Sequence, residues 1–213
     1  MNVASSAQQF AENDAYPTRL KGEERVSARR DPVLWTQWSE DAPISQEEAR
    51  HYEDKGYLIK KNLFSAEEIA LLIDTSAALR RNGQDIRSED LVTEPGSEAV
   101  RTIFRLDEHS DVFARLAADA RLASVARFLL GDDVYLHQSR LNYKPGFTGK
   151  EFYWHSDFET WHAEDGMPNM RAVSASVLLT DNSALNGPLM LIPGSHRQFI
   201  ACHGETPDAN HES

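Results

Sequence analysis

The residues best equipped for chemistry lie in the run Phe152-Tyr-Trp-His155-Ser-Asp157-Phe-Glu-Thr-Trp161-His162. His155 and Asp157 are two positions apart, next to a short strand expected over Phe152–Trp154. Residues two apart on a strand project from the same face. An imidazole nitrogen and a carboxylate oxygen then reach one metal ion from one side. That is two thirds of the facial triad of two histidines and one carboxylate, which leaves positions open for a cosubstrate and oxygen. His-x-Asp alone is also the pattern of a surface hydrogen bond. The aromatic surroundings and the later run Gly187-Pro-Leu-Met-Leu-Ile-Pro-Gly-Ser-His196 favour the metal reading.

The other titratable residues read more plainly. His162 suits a partly exposed structural role, and His196 suits turn packing or capping. Glu159 suits a structural salt bridge. His203 and His211 sit in a polar stretch and read as solvated, and Cys202 reads as a loop thiol. Glu47, Glu48, Glu67 and Glu68 are helix-start charges that complement the helix dipole. The sequence contains no glycine-rich phosphate loop, no CxxC pair and no Gly-x-Ser-x-Gly turn.

Several elements must position these groups. Ser45 with Glu48, and Ser65 with Glu68, are capping boxes, stapled by Ile44 and Phe64. They predict helices over 46–55, ending at Gly56, and over 66–81, with Ile69, Leu72, Ile73 and Leu79 on the buried face. A third helix is predicted over 114–130, with Gly131 as its left-handed end. Strand-like alternation is expected at 57–59, from 134 to 143, over 171–180 and over 188–192, the last closed by Pro193, Gly194 and Ser195. Helices followed by closely spaced strands predict a mainly β, α+β architecture with flanking helices. Residues 1–30 carry few large apolar side chains and are expected to form a flexible tail, with the domain proper over 31–213 and Val33, Leu34, Trp35 and Trp38 as its first anchors.

Composition narrows the partners. With 213 residues the chain is long enough for one domain with a sizeable core. A formal net charge of −12 argues against a nucleic-acid backbone as partner. A single cysteine excludes an internal disulfide. No stretch reaches the ~18–20 apolar residues of a membrane span, and the first residues lack a secretory core, so a cytoplasmic location is expected.

Two sets of residues carry a family resemblance. Asp54 to Leu58, the His155/Asp157 pair and the Pro193–His196 turn resemble the phytanoyl-CoA dioxygenase superfamily. Three longer strings, Gln138 to Pro145, Trp154 to His162 and Glu164 to Ser174, are similar to the ectoine hydroxylases within it. The resemblance implies a double-stranded β-helix (jelly-roll) core and hydroxylation of ectoine to 5-hydroxyectoine with iron(II), 2-oxoglutarate and O2. It implies His155 and Asp157 as iron ligands and Gln138 and Asn142 as 2-oxoglutarate contacts. It implies Arg140, Thr160 and Trp161 as ectoine contacts, with Phe104 and Ser176 as further pocket residues. It also points to a homodimer. The family's second histidine ligand and its cosubstrate-anchoring arginine come well after the Pro-Gly-Ser-His turn, so they are expected beyond Ser213, with the C-terminal strands missing. Two other readings stand beside this one: a hydroxylase of another small amino acid or alkaloid, and a catalytically defective binding domain.

Overall fold

Both expected capping boxes are formed. Ser45 Oγ accepts from Glu48 N at 3.2 Å, while Glu48 Oε2 accepts from Ser45 N at 2.8 Å. This opens helix α1 (Gln46–Lys55), which ends at Gly56 in the left-handed conformation. Ser65 and Glu68 make the same reciprocal pair at the start of α2 (Ala66–Arg81). The computed structural model describes residues 15–18, 26–147, 149–152 and 154–201.

The single helix expected over 114–130 is broken. After α3 (Leu106–His109) come α4 (Asp111–Ala117) and α5 (Ala120–Leu130). The break falls at Asp119, whose carboxylate accepts from Arg121 N at 2.8 Å and so caps α5 instead of continuing α4. Arg121 then bridges Asp119 at 2.7 Å and Glu68 at 2.6 Å, and its guanidinium lies over the Phe64 ring. The start of α5 is thereby clamped to the start of α2. Gly131 ends α5 in the left-handed conformation expected of it.

Strands are fewer and shorter than the sequence pattern suggests. Antiparallel strands β2 (Leu91–Thr93), β3 (Val100–Phe104) and β4 (Arg140–Asn142) form one sheet in that order. Strand β1 (Val26–Ala28) pairs antiparallel with β5 (Gln198–Ile200), which follows a 3-10 turn at Ser195–Arg197. The mixed helix-and-sheet architecture holds, but among the described residues helix outweighs strand, which corrects the mainly β expectation. The stretches 57–59, 171–180 and 188–192 have no ladder pairing among the described residues. Alternation specifies two faces, whereas a strand also needs a hydrogen-bonded neighbour. The faces hold in part: Val173, Val177 and Leu179 pack against buried clusters, but Ala175, in phase with them, is exposed along with Ser174 and Ser176.

Three apolar clusters hold these elements. The first joins Leu72, Ile86, Ile103, Leu106 and Phe113, with Leu141 against it. Ile69 and Leu79 join it as expected, but Ile73 is more than a third exposed. The second packs Ile44, Ala49, Phe128 and Leu129 with Leu34 and Trp38. The third packs Tyr16, Phe158, Met170 and Phe199. Tyr16 is fully buried, and its hydroxyl accepts from the N–H groups of Arg30 and Asp31. Tyr16 and β1 therefore belong to the folded body, which corrects the tail expected over 1–30 at these positions.

Two packing features place the later site. The Pro193–His196 turn docks on the end of α1: Gly194 N donates to Lys55 O at 3.0 Å, and His196 Nε2 lies 3.1 Å from Glu53 O. Gly56 has φ +83°, and a Cβ there would stand 2.3 Å from the His196 ring. The two family motifs are thus one contact. The second feature is Asp90, buried beneath Arg87 (2.8 Å), Arg105 (2.6 Å) and His109 (2.9 Å). Burial pushes its carboxyl up, but the hydrogen bonds from Arg105, His109 and Arg87 prevail and hold it at about 2. Arg105, at φ +51°, donates its own N–H to Ser139 O at 2.9 Å, which fixes the turn out of β3 against the residue before β4.

Gly56→Ala is expected to destabilise the fold by about 2–4 kcal/mol, from the left-handed backbone and the crowded imidazole; urea unfolding measures it. Asp90 has a folded value below its ordinary 3.8, so its stabilisation is complete above that value and is lost as pH falls towards 2. The urea midpoint of the wild type should therefore fall more steeply than that of Asp90→Asn between about pH 4 and about pH 2.

Candidate functional site

The register of β3 and β4 builds one wall of the site. Thr102 lies opposite Asn142, Ile103 opposite Leu141, and Phe104 opposite Arg140. Side chains alternate along a strand, so Thr102, Phe104, Arg140 and Asn142 share one face. Ile103 and Leu141 take the other face, into the first apolar cluster. Three residues expected in the site are thereby brought together, and Gln138 stands two positions before Arg140, exposed.

Asp157 is not next to a strand. It is the first residue of α6 (Asp157–Asp165), which starts after Ser156 and ends at Gly166 in the left-handed conformation. This corrects the strand expected over Phe152–Trp154; Phe152 and Trp154 lie outside any strand. The competing signal was the acidic first turn and the C-terminal glycine, which specify a helix. Helical spacing puts Thr160 and Trp161, three and four residues on, beside Asp157. It sends Phe158 and His162 into the third apolar cluster, where their rings stack at 5.4 Å. His162 Nδ1 also lies 2.6 Å from Met167 O, so the structural reading of this histidine holds.

His155 and Asp157 still converge. His155 Nε2 stands 3.5 Å from Asp157 Oδ1. Arg140 Nη2 donates to that same oxygen at 3.1 Å, and Ser174 Oγ donates to Oδ2 at 2.8 Å. Burial pushes the Asp157 carboxyl up, but His155, Arg140 and Ser174 together outweigh it and hold it well below the usual carboxylate range. The group is therefore an anion across the physiological range, with one oxygen turned to the imidazole and the other tied to the serine. Two donors at ~2.1 Å from one ion, at a right angle, stand roughly 3 Å apart. The observed pair is near that separation, and its nitrogen and oxygen donors suit a first-row divalent metal. Among the described residues no group of three or more His, Cys, Asp or Glu is placed to hold an ion. His203, His211 and Cys202 lie outside the described residues.

Four contributors escaped the sequence reading. Ser174 ties Asp157, although only Ser176 was singled out; Ser176 is exposed two residues further on. Thr102 Oγ1 donates to Asn142 Oδ1 at 3.0 Å. His137 meets the Trp161 ring edge-on at 5.2 Å and lies 3.0 Å from Asp165 Oδ2, bracing the indole from the far end of α6. Ser139 accepts the Arg105 N–H and donates to Asp107. None belongs to a spacing pattern; the only signal for Ser174 and Ser139 was their place within the family strings.

Glu159 also departs from expectation. It is buried, and Oε1 accepts from Ile200 N at 3.2 Å, while Oε2 has no partner among the described residues. The expected salt bridge is replaced by a backbone contact between α6 and β5. Burial raises its carboxyl above the ordinary value.

Comparison with known proteins bears on the same residues. The family model "Phytanoyl-CoA dioxygenase (PhyH)" matches residues 52–213. An ectoine dioxygenase of Sphingopyxis alaskensis is 55% identical over 200 residues, covering 94% of this chain and 65% of that protein. The ectoine dioxygenase of Halomonas elongata is 50% identical over 202 residues, covering 93% of this chain and 60% of its own length. The chain thus spans just under two thirds of the length of these curated relatives. A crystal structure of EctD from S. alaskensis with 2-oxoglutarate and 5-hydroxyectoine superposes with a TM-score of 0.88 at 52% identity, covering 94% of this chain and 71% of that one. A second, with bound Fe, gives a TM-score of 0.86.

The raised Glu159 value generates a prediction with the opposite sign to that of Asp90. Its folded carboxyl loses protons later than the unfolded one, so stability is lost as pH rises through the folded value. Glu159→Gln, which keeps the acceptor for Ile200 N and removes the titration, should gain in melting temperature relative to wild type from about pH 5 to about pH 8.

Proposed function

Because the chain belongs to the phytanoyl-CoA dioxygenase family, we propose that it forms the greater part of an iron(II)- and 2-oxoglutarate-dependent dioxygenase that hydroxylates ectoine to 5-hydroxyectoine. The observation that carries this reading is the Asp157 carboxylate, shared by His155, Arg140 and Ser174. It brings the donor pair proposed for iron beside the cation proposed for the substrate. The finer architecture in this reading is a double-stranded β-helix core flanked by helices, with Tyr16 and β1 docked on it.

His155 and Asp157 would hold the iron. Ser174 occupies Oδ2, and Oδ1, which also accepts from Arg140, is the oxygen turned toward His155. When bound, the iron supplies oxygen activation coupled to decarboxylation of 2-oxoglutarate. The chain's own residues bind and orient. Gln138 and Asn142 offer amide donors to the oxygens of 2-oxoglutarate. Arg140, on the same sheet face, pairs with the ectoine carboxylate through its fork of donors. The Trp161 indole, braced by His137, lies against the delocalised cationic ring. Thr160 and Ser176 offer hydroxyls, and Phe104 supplies an apolar contact that excludes water from the ring. The catalytic task is placement of one ring C–H, with 2-oxoglutarate held beside it.

The relatives' names and the bound 2-oxoglutarate and 5-hydroxyectoine support ectoine over other small cationic acids. Among the described residues no helix is long and apolar enough to cross a membrane. A cytoplasmic enzyme acting as a homodimer remains part of this proposal.

The test is direct. Protein given iron(II), 2-oxoglutarate, oxygen and ectoine should release succinate and 5-hydroxyectoine in equal amounts, detected by NMR. Asp157→Ala should abolish iron binding and turnover while leaving the far-ultraviolet circular dichroism unchanged. Retained turnover in that variant would remove Asp157 from the metal site. Succinate formed only with a different small amino acid would overturn ectoine as substrate.

A further inference from the structure

We infer that Thr102 is a positioning residue for 2-oxoglutarate, anchoring the Asn142 amide by its oxygen so that the Nδ2 end faces the ligand. The inference rests on the reading of Asn142 as a cosubstrate contact. Thr102 is almost fully buried, at 4% exposure, and lies opposite Asn142 in the β3–β4 register. Its Oγ1 donates to Asn142 Oδ1 at 3.0 Å. A carboxamide has one acceptor end and one donor end, nearly identical in shape. With the oxygen engaged by the buried hydroxyl, the two Nδ2 hydrogens are the groups left for the exposed side of the sheet. That polarity suits a ligand that presents only acceptor oxygens there, a carboxylate or a keto group. A reversed amide would turn Oδ1 toward the ligand's oxygens, with the Thr102 hydroxyl accepting from Nδ2 instead of donating, so the ligand and the hydroxyl together select the observed orientation.

The rest of the strand keeps Thr102 in place. Ile103, its neighbour, is completely buried on the opposite face. Arg101, on the other side, pairs with the buried Glu94 at 3.0 Å and packs on the Phe152 ring. The strand is thus pinned on both flanks, and the Thr102 hydroxyl has a fixed origin. A valine there keeps the branched shape and the strand preference while deleting the donor.

The experiment compares wild type, Thr102→Val, Thr102→Ser and Asn142→Ala as iron(II)-loaded, oxygen-free protein titrated calorimetrically with 2-oxoglutarate. Thr102→Ala serves as a second hydroxyl-free form if the valine variant does not fold. Loss of the hydroxyl should weaken 2-oxoglutarate binding about five- to tenfold, the worth of one hydrogen bond. Thr102→Ser should return binding to within about twofold of wild type, and the KM for ectoine should stay within about twofold throughout. In the double variant Thr102→Val/Asn142→Ala, binding should be no weaker than in Asn142→Ala alone, because Thr102 acts through that amide. Unchanged binding in the hydroxyl-free forms, with weakened binding in Asn142→Ala, overturns the inference and leaves the Asn142 reading standing. Unchanged binding in Asn142→Ala overturns both. Equal weakening toward ectoine and 2-oxoglutarate in Thr102→Val, without rescue by serine, marks a structural role and also overturns the inference.

Discussion

The pairing of β3 with β4 is the constraint on which the site depends. A slip of β4 by one residue against β3 would exchange the two faces of β4. Arg140 and Asn142 would turn into the apolar cluster, away from Phe104, and Leu141 would turn out. Two kinds of force hold the register. Ile103 and Leu141 belong to the cluster around Leu72 and Phe113. At the strand end, the buried Asp90 gathers Arg87, Arg105 and His109, and Arg105 reaches across to Ser139. The polar end stops the slide that apolar packing alone would tolerate. A buried carboxylate of this kind is favourable only because every partner is present, so it specifies geometry more than it adds stability.

Asp157 repeats that logic at the site. One anion receives an imidazole, a guanidinium and a hydroxyl from three separate parts of the chain. The sheet supplies Arg140, the segment after α6 supplies Ser174, and the approach to α6 supplies His155. Its position at the start of a helix adds the favourable end of the helix dipole. The carboxylate is therefore oriented before any ligand arrives, which is how a site reduces the reorganisation needed on binding. Trp161 is carried on the same helix and braced by His137, so the expected iron ligand and the expected aromatic contact are held by one element.

Much of this was legible in the residues. The two capping boxes and the glycine ends of α1 and α5 read correctly, because each is a local rule with a local cause. The breaks were harder. Asp119 looked like an ordinary polar position on a helix, yet its side chain caps the next one. The His155–Asp157 spacing suggested a strand, yet the acidic turn after Ser156 made a helix. Two donors still meet, because a short loop leading into a helix can bring neighbours two apart together as well as a pleat does. Tyr16 looked like part of a polar tail, and only its pocket among Phe158, Met170 and Phe199 shows otherwise.

By itself the sequence singled out the His155–Asp157 pair, the starts and ends of the first helices, and a resemblance to the phytanoyl-CoA dioxygenase family. These depend on interactions within a few residues of each other, or on strings long enough to be read as words. Only the tertiary structure decided which face each residue takes and what it touches across the chain. The Gly56–His196 contact, the Ser174 bond to Asp157, the Thr102 bond to Asn142 and the burial of Glu159 join residues from 17 to 140 positions apart. Such contacts are fixed by strand register and cluster packing. Those are properties of the whole fold that no local pattern encodes.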